Sequence, residues 1–442
     1  MPDLVIRNAR LALPEGIVRA ELSVTDGKID KIAISGIPKG ENEIDAKDRI
    51  VIPGVIDSHV HIHDPRFLRR ETFRTGSIAA AAGGVTTVLV MPLDTPITDV
   101  QSAKKIIAAG RRASLIDFAL HAGNMTEESI ENVEALAALG IKSFKAFTCS
   151  PYYLRSEAME ALMDRIKAVD GILFVHAEDE QTLKAQRAKL GERRDPLAHH
   201  ECRPSEAEER AVRDVLELVK KHECKTHFAH ITTRKAGELI RDAKQNHLPV
   251  TAETCIHYLV FTRMDVAEKG PYLRVNPSLK DVEDQKALWE FLKAHIIDVV
   301  ATDHAPGTKK EKEIGWESIW EAQIGIPGVE TLLSLLLTFG VGSGRLTLDR
   351  MVNVVSTRPA QIFRLYPRKG VIREGSDADL VILNFRKKKI RAENLHYKVG
   401  WSPYEGLMVN GYPLITVSRG EIIYKDGEIL GKPGRGQFLP LS

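Results

Sequence analysis

The sequence lacks any apolar run that approaches the roughly 18 residues of a membrane-spanning helix, although 43% of its 442 residues are hydrophobic. Its first ten residues, MPDLVIRNAR, carry charges inside the apolar stretch, and no cleavage-type segment follows them. They therefore do not have the pattern of a signal peptide. These two absences predict a protein that is neither exported nor inserted into a membrane.

Net charge and cysteine are also scarce. The formal net charge is +2, and no basic tract stands out beyond the short Arg386–Lys389, so the charge gives no reason to expect a nucleic-acid partner. The four cysteines, Cys149, Cys202, Cys224 and Cys255, are scattered and form no C-x-x-C pair. This usage is typical of the reducing cytoplasm and predicts buried or incidental thiols rather than metal ligands.

Histidine, in contrast, is concentrated in one short segment, VIPGVIDSHVHIHDP (residues 51–65). His59, His61 and His63 stand at alternate positions directly after an apolar run, and alternate residues share one face of a β-strand. Imidazole is the commonest nitrogen ligand of zinc-like metals. The spacing therefore predicts a metal site at the end of a strand, with a histidine-rich surface loop as the alternative.

The two ends of the chain have the pattern of short strands and turns. Residues 1–52 alternate in this way, and so do residues 367–442, where Lys425-Asp426-Gly427 predicts a hairpin turn. Neither end is long enough to bury a good core alone. We therefore expect both ends to pair into one β-sandwich domain.

Residues 53–366 have a different pattern, in which short apolar runs alternate with helical stretches. Eight runs can be counted: 51–57, 85–91, 115–121, 141–147, 172–177, 226–231, 249–254 and 296–302. Eight repeats of strand and helix predict an α/β fold, a (β/α)8 TIM-like barrel. Chemistry in that fold lies at the C-terminal ends of the strands.

Residues able to bind metal lie in or just after five of these runs. They are His59 and His61 after the first, Lys145 in the fourth, His176 in the fifth, His230 in the sixth and Asp303 after the eighth. Each alone is a weak signal, because a single histidine at a strand end is often a core residue. Their placement on five separate strand ends is what predicts a metal centre.

Lys145 is the most informative of them. Strand alternation puts Ile141, Ser143 and Lys145 on one face, so that the lysine points into the barrel, where burial of its charge costs free energy. An ion-paired lysine, or one that reaches solvent, is one interpretation. The other is a carbamate formed with carbon dioxide, an anionic oxygen bridge of the kind that hard divalent ions prefer. Lys142 faces the other way and is the poorer candidate.

The chain resembles the cyclic amidohydrolases of the amidohydrolase superfamily, which include hydantoinases, dihydropyrimidinases, allantoinases and dihydroorotases. The resemblance covers almost the full chain, and its motifs are GVIDSHVHIHDP, GIKSFKAF, VHAEDE, THFAHIT, AETCIHYL, DVVATDHAPG, IGIPGVET and LYPRKGVIREGSDADLVIL. It implies a barrel with a flanking β-sandwich, a small cyclic amide as substrate, and a homotetramer or homodimer.

The resemblance also implies two divalent metal ions, usually zinc, and a set of ligands. His59 and His61 would hold the first ion with Asp303, His176 and His230 would hold the second, and carboxylated Lys145 would bridge them. Two close cations lower the pKa of a bridging water toward neutrality and so supply hydroxide. Asp303 would carry its proton to the leaving nitrogen, which opens the ring amide.

Three departures from dihydroorotases favour an uncharged ring. His63 stands where that family usually has the arginine that binds a substrate carboxylate, MPLDTP (residues 91–96) replaces its usual MPNT, and Gly307 replaces a common histidine. Arg66 could take over the role of the missing arginine, and Asn276 is dihydroorotase-like. Tyr152 or Tyr153 could contact substrate. The tail is most like the hydantoinase branch, so we expect a hydantoinase or dihydropyrimidinase, with allantoinase and dihydroorotase as alternatives.

Other classes of protein share this barrel. A non-catalytic dihydropyrimidinase-like scaffold would lack the metal ligands, and the full set of six argues against it. A one-metal deaminase needs no bridging lysine, so Lys145 disfavours that class. An exocyclic amidase or peptidase stays open, because specificity lies in loops.

Overall fold

The computed structural model describes residues 1–92 and 95–441, and its strands form an end sheet and a set of parallel strands. The end-sheet strands are β1 (Leu4–Leu13), β2 (Gly16–Thr25), β3 (Lys28–Ala33), β4 (Asn42–Asp45), β5 (Ile50–Pro53), β14 (Leu380–Lys389), β15 (Met408–Ser418), β16 (Glu421–Lys425) and β17 (Glu428–Ile429). The parallel strands are β6 (Val55–Val60), β7 (Val85–Val90), β8 (Asp117–Leu120), β9 (Ser143–Phe147), β10 (Ile172–His176), β11 (Thr226–Phe228), β12 (Val250–Cys255) and β13 (Val299–Ala301).

Helices alternate with the parallel strands and follow them. They are α1 (Phe73–Ala82), α2 (Val100–Ala113), α3 (Val133–Ala138), α4 (Ser156–Ala168), α5 (Glu180–Leu190), α6 (Pro196–Cys202), α7 (Ser205–His222), α8 (Arg234–Gln245), α9 (Ile256–Val260), α10 (Val266–Lys269), α11 (Val282–Lys293), α12 (Lys309–Glu313), α13 (Leu332–Leu335), α14 (Leu348–Val352) and α15 (Arg358–Ile362). α2 shows why they form: Asp99 and Ser102 make a capping box, and Ala103, Ile106 and Ala109 bury one face. Within the described residues, no helix has the length and apolar character needed to cross a bilayer.

The two chain ends pair as predicted, but in one sheet. The strand order is β17-β16-β15-β14-β5-β1-β2-β3, with β4 also paired to β1. Because β5 pairs with β1 on one side and with β14 on the other, hydrogen bonding continues from the N-terminal to the C-terminal strands. Strands from both chain ends therefore form one hydrogen-bonded nine-stranded sheet. The predicted hairpin at Asp426-Gly427 joins β16 to β17.

The parallel strands confirm the alternating α/β pattern. They hydrogen-bond in the orders β6-β7-β8 and β9-β10-β11-β12-β13, and each predicted run overlaps one of them. Two isolated parallel bridges, Val60–His304 and Ala122–Phe144, join residues at the edges of the two groups. The C-terminal ends of all these strands consequently lie on the same side.

The first predicted run is wrong in one respect, because residues 51–57 belong to two strands. β5 ends at Pro53 in the end sheet, and β6 begins at Val55 among the parallel strands. Gly54 lies between them, and a Cβ there would come within 2.1 Å of the Thr86 hydroxyl oxygen. Only glycine allows this close approach, so the chain passes from one sheet to the other at this residue.

The interior below the strand ends is filled by aromatic rings. The Phe174 ring on β10 lies 5.1 Å from the His59 ring, 4.8 Å from His121 and 5.0 Å from His227, measured between centroids. Phe363 packs against the same group, 6.2 Å from Phe174. This layer forms a rigid floor under the candidate site.

Candidate metal centre and active site

A cavity of about 220 Å³ opens at the C-terminal ends of the parallel strands. The nine predicted site residues all line it: His59, His61, His63, Lys145, Tyr152, His176, His230, Asn276 and Asp303. They come from separate segments of the chain, so the fold brings together side chains up to 244 residues apart in sequence, as His59 and Asp303 are.

His59 and His61 direct ring nitrogens at Asp303. His61 Nδ1 donates to the Met91 carbonyl at 2.7 Å, so its Nε2 carries the lone pair in the neutral ring, 2.8 Å from Asp303 Oδ1. His59 Nδ1 donates to Glu253 Oε1 at 2.5 Å, and its Nε2 lies 3.4 Å from the same Asp303 oxygen. Three electron-pair donors therefore converge, and such an arrangement needs a proton or a cation between them.

His176 and His230 form a second convergent pair. His176 Nε2 donates to Glu178 Oε2 at 2.8 Å, which leaves Nδ1 unprotonated and 3.0 Å from His230 Nε2. Burial lowers the pKa of both imidazoles, that of His230 well below its ordinary value. Both rings are thus held in the neutral form that binds metal.

Lys145 lines the same cavity, on the face that strand alternation predicted. Its side chain is 1% exposed, and its Nζ has no hydrogen-bond partner among the described residues. The Nζ is 4.6 Å from the centre of the Phe174 ring and 5.0 Å from that of Phe147. Burial lowers the pKa of the amine to about 8, which increases the neutral form that can react with carbon dioxide.

Two of the candidate ligands have a backbone conformation that is uncommon outside glycine. His230 has φ of +34° and Asp303 has φ of +48°, and both residues stand two positions beyond the end of a strand. Such conformations cost about 1–3 kcal/mol and concentrate at functional sites. The surrounding fold holds these two side chains against that cost.

Asp303 is ionised in this setting. Although burial by itself would raise the pKa of the carboxyl group, the neighbouring His59 and the hydrogen bond with His61 hold it at about 2. An ionised carboxylate is the form that binds a cation and accepts a proton.

Two carboxylates behind the histidines were not predicted. Glu253 on β12 accepts from His59, and its pKa is held well below the ordinary value despite complete burial. Glu178 accepts from His176 in the same way. Carboxylates that accept from the far ring nitrogen fix the orientation of metal-binding histidines. A sequence signal existed for Glu178, which stands two residues after His176, as a neighbour on the same strand face would.

We expect Glu253→Gln to lower metal affinity about 10- to 100-fold, because an amide holds the His59 ring less strongly. Metal content measured by mass spectrometry after dialysis against a chelator checks this. Glu208→Gln is the matched control, since Glu208 is equally buried and accepts from Thr232 and Thr233 outside the cavity. Equal metal retention in the two variants would contradict the role of Glu253.

The three predicted substrate contacts lie on the open side of the cavity. His63 is 5% exposed, and the Tyr152 ring packs 5.1 Å from that of Phe147. His199 Nε2 donates to Asn276 Oδ1 at 2.9 Å, which leaves the amide NH2 of Asn276 as its donor. Of the alternatives, Tyr153 is 49% exposed and neither it nor Arg66 is among the described residues that line the cavity.

Two further residues of the cavity wall were not foreseen as site residues. Arg203 donates through Nε and Nη2 to Glu178 Oε2, at 3.2 and 2.6 Å. Cys149 had been expected to be an incidental thiol; all four cysteines are free and buried, but Cys149 also lines the cavity. No local pattern marks either residue, because each enters the site through a loop.

The donor set fits two divalent cations. His59, His61 and Asp303 offer ligand atoms that lie within 4.8 Å of one another, and the His176–His230 pair and Lys145 line the same cavity. Nitrogen and carboxylate donors in this proportion are those of zinc-type hydrolytic centres. Fold and site together are those of a metal-dependent hydrolase built on parallel strands and helices.

Comparison with known proteins gives the family. Residues 50–423 match the model of the amidohydrolase family, and the chain belongs to this family. It is 34% identical to an L-hydantoinase of Paenarthrobacter aurescens, over 99% of this chain and 98% of the relative. It is 36% identical to a dihydroorotase of Methanosarcina acetivorans, over 99% and 96%. A solved L-hydantoinase (dihydropyrimidinase) from Arthrobacter aurescens superposes with a TM-score of 0.96 at 32% identity, covering 99% of both chains.

Proposed function

We propose that the protein hydrolyses the amide bond of a small cyclic ureide or imide, as a hydantoinase or dihydropyrimidinase does. Two divalent cations, preferably zinc, would be held by His59, His61 and Asp303 and by His176 and His230. Lys145, carboxylated by carbon dioxide, would bridge them. One observation carries the proposal: all six of these side chains line a single cavity at the ends of parallel strands.

The cations, when bound, supply the acidity that makes water a nucleophile at neutral pH and polarise the substrate carbonyl. The protein groups have separate tasks. Asp303 is ionised and accepts the proton of the attacking water, which it then delivers to the ring nitrogen as the C–N bond breaks. Asn276 can donate its amide N–H to a substrate carbonyl. The aromatic layer around Phe174 and the ring of Phe147 are apolar, and they exclude water from the lower part of the cavity.

The charge of the cavity wall supports an uncharged ring as substrate. Arg203 is the permanently charged cation among the described residues that line the cavity. Its charge is already balanced by Glu178, to which it donates two hydrogen bonds. Position 307 is closed to a larger side chain, since a Cβ on Gly307 would come within 2.6 Å of Gln323. In the MPLDTP segment, Leu93 and Asp94 lie outside the described residues, so the departure predicted at this segment is not tested.

Dihydroorotate is the second candidate substrate. The 36% identical relative is named a dihydroorotase, and Asn276 lies in the cavity. A carboxylate on the ring would need Arg203 to exchange its bond to Glu178 for a bond to substrate. Since that exchange leaves Glu178 without its partner, we rank dihydroorotate below the uncharged rings.

Substrate preference can be measured directly. We expect a higher kcat/KM for hydantoins, dihydrouracil or allantoin than for dihydroorotate, because a charged group without its partner costs about 2–5 kcal/mol in binding. The four substrates should be compared with the same metal-loaded protein. A tenfold or greater preference for dihydroorotate would make the uncharged-ring proposal wrong and would point to Arg203 or Asn276.

His63→Arg is the matching variant. A permanent guanidinium at this position offers a carboxylate two parallel donors, so dihydroorotate turnover should rise relative to the uncharged rings. Arg66→His, at the exposed neighbour outside the cavity, is its control and should leave the ratio unchanged. An unchanged ratio in His63→Arg would remove His63 from substrate recognition.

Other parts of the proposal concern the whole molecule. We infer that the parallel strands close into a TIM-like barrel, which the bridges Val60–His304 and Ala122–Phe144 support. We also propose a catalytic domain over residues 53–366, flanked by domain parts over 1–52 and 367–442. Assembly as a homodimer or homotetramer and a cytoplasmic location stay predictions.

A further inference from the structure

A second group of potential metal ligands lies at the wall of the cavity, and it shares His176 with the six proposed ligands. Cys149, His176 and Glu178 each offer a ligand atom, and these atoms lie within 4.8 Å of one another. All three residues are buried, with exposures of 2%, 4% and 0%. Sulfur, nitrogen and carboxylate oxygen together form a donor set suited to zinc and heavier thiophilic ions.

An unused ligand atom marks the same place. Glu178 Oε2 accepts from His176 and from Arg203, but Glu178 Oε1 is buried and has no hydrogen-bond partner among the described residues. A buried carboxylate oxygen without a partner is unusual in a native protein. Since Arg203 holds the carboxylate by its other oxygen, Oε1 stays available to a ligand.

We propose that Cys149, His176 and Glu178 form an alternative cation position, which takes thiophilic divalent ions such as cadmium or excess zinc and inhibits the enzyme. His176 would bind it through Nε2, the nitrogen that faces Glu178, and the ring proton would then sit on Nδ1. The nitrogen that faces His230 could then no longer bind the second catalytic cation. This inference rests in part on the proposed function, because it concerns the metal preference of the same cavity.

The chemistry balances without any redox step. The Cys149 Sγ–H bond breaks as the Sγ–metal bond forms, the proton leaves to solvent, and no atom changes oxidation state. Burial raises the pKa of the Cys149 thiol to about 12, so a cation must displace this proton rather than find a thiolate. A strongly thiophilic ion can do so, and a hard ion such as magnesium or manganese cannot.

Cys224 provides a matched control inside the same chain. Its thiol is also buried, and burial raises its pKa to about 12 as well. It precedes β11, at the opposite end of the strands, and is not among the described residues that line the cavity. A difference in cadmium binding between variants of the two cysteines would therefore be due to the site at Cys149 and not to a property that buried thiols share.

The test is a cadmium titration of the metal-loaded protein, followed by the ultraviolet thiolate-to-cadmium absorbance, bound cadmium per chain and residual activity. The parent and Cys224→Ser should develop the absorbance of one thiolate per chain, and Cys149→Ser should not. The cadmium concentration that halves activity should be at least tenfold higher in Cys149→Ser than in the parent. Cys149→Ala serves in its place if the serine variant does not fold.

Equal absorbance in Cys149→Ser and the parent would overturn the proposal, and so would loss of the absorbance with unchanged cadmium inhibition. The outcome can be separated from the fate of the two-metal centre. If Lys145→Ala retained both catalytic cations, the proposed function would fail, whereas the Cys149 absorbance would still decide the present inference.

Discussion

Lys145→Ala should lose nearly all activity and most of its bound metal. The lysine amine has no hydrogen-bond partner among the described residues and faces the cavity of the proposed ligands, so its removal would delete the proposed bridge and leave two cations to repel each other. Metal per chain and kcat/KM, measured on protein purified with zinc, check the result. Short carboxylic acids added to the alanine variant should restore part of the activity, because they supply the missing oxygen atoms.

Lys142→Ala is the control for this variant. Lys142 is half-buried and stands three residues earlier, just before β9, and it does not line the cavity within the described part of the chain. It should retain metal and activity close to the parent. Full metal occupancy with normal turnover in Lys145→Ala would refute the two-metal centre.

Asp303→Asn should act mainly on kcat. The carboxylate is ionised and acts as proton carrier in the transition state, and general acid–base groups contribute on the order of 10²- to 10⁴-fold. Weaker metal binding adds to the loss, since an amide is a poorer ligand than a carboxylate. Metal content and steady-state kinetics should therefore be measured on the same preparation.

Asp298→Asn distinguishes catalysis from stability. Asp298 is 4% exposed, immediately precedes β13, and pairs with Lys244 and Arg358 at the opposite end of the strand from Asp303. Its loss should lower the melting temperature but leave kcat per folded molecule unchanged. Turnover of Asp303→Asn within a few-fold of the parent would remove Asp303 from the catalytic step.

Strand periodicity was enough to predict which face of their strands His59 and Lys145 occupy. Both candidate ligands lie within strands, where a two-residue period fixes the face. Phe144 and Ala146 confirm the alternation. They pack in the hydrophobic core on one face of β9, while Lys145 faces the cavity on the other.

Residues on loops, and contacts between distant segments, could not be predicted in this way. No period relates Arg203 to Glu178, and nothing local distinguishes Tyr152, which lines the cavity, from the exposed Tyr153. Glu253 meets His59 only because β12 and β6 are brought together by the fold. The division of residues 51–57 into β5 and β6 was missed for the same reason. These residues form one continuous apolar run in the sequence, and nothing in that run marks the bend at Gly54.

The pairing of β5 with β14 also determines when this protein can finish folding. Val381 lies opposite Ile52, so all the parallel strands are synthesised between the two partners. The tail arrives later still, where Phe118 donates to the Gln437 carbonyl and Leu439 donates to that of Phe118. Such distant contacts slow folding. During vectorial synthesis on the ribosome, this edge of β5 must stay uncovered until β14 emerges, so the arrival of β14, rather than formation of any one helix, sets the moment at which the sheet closes.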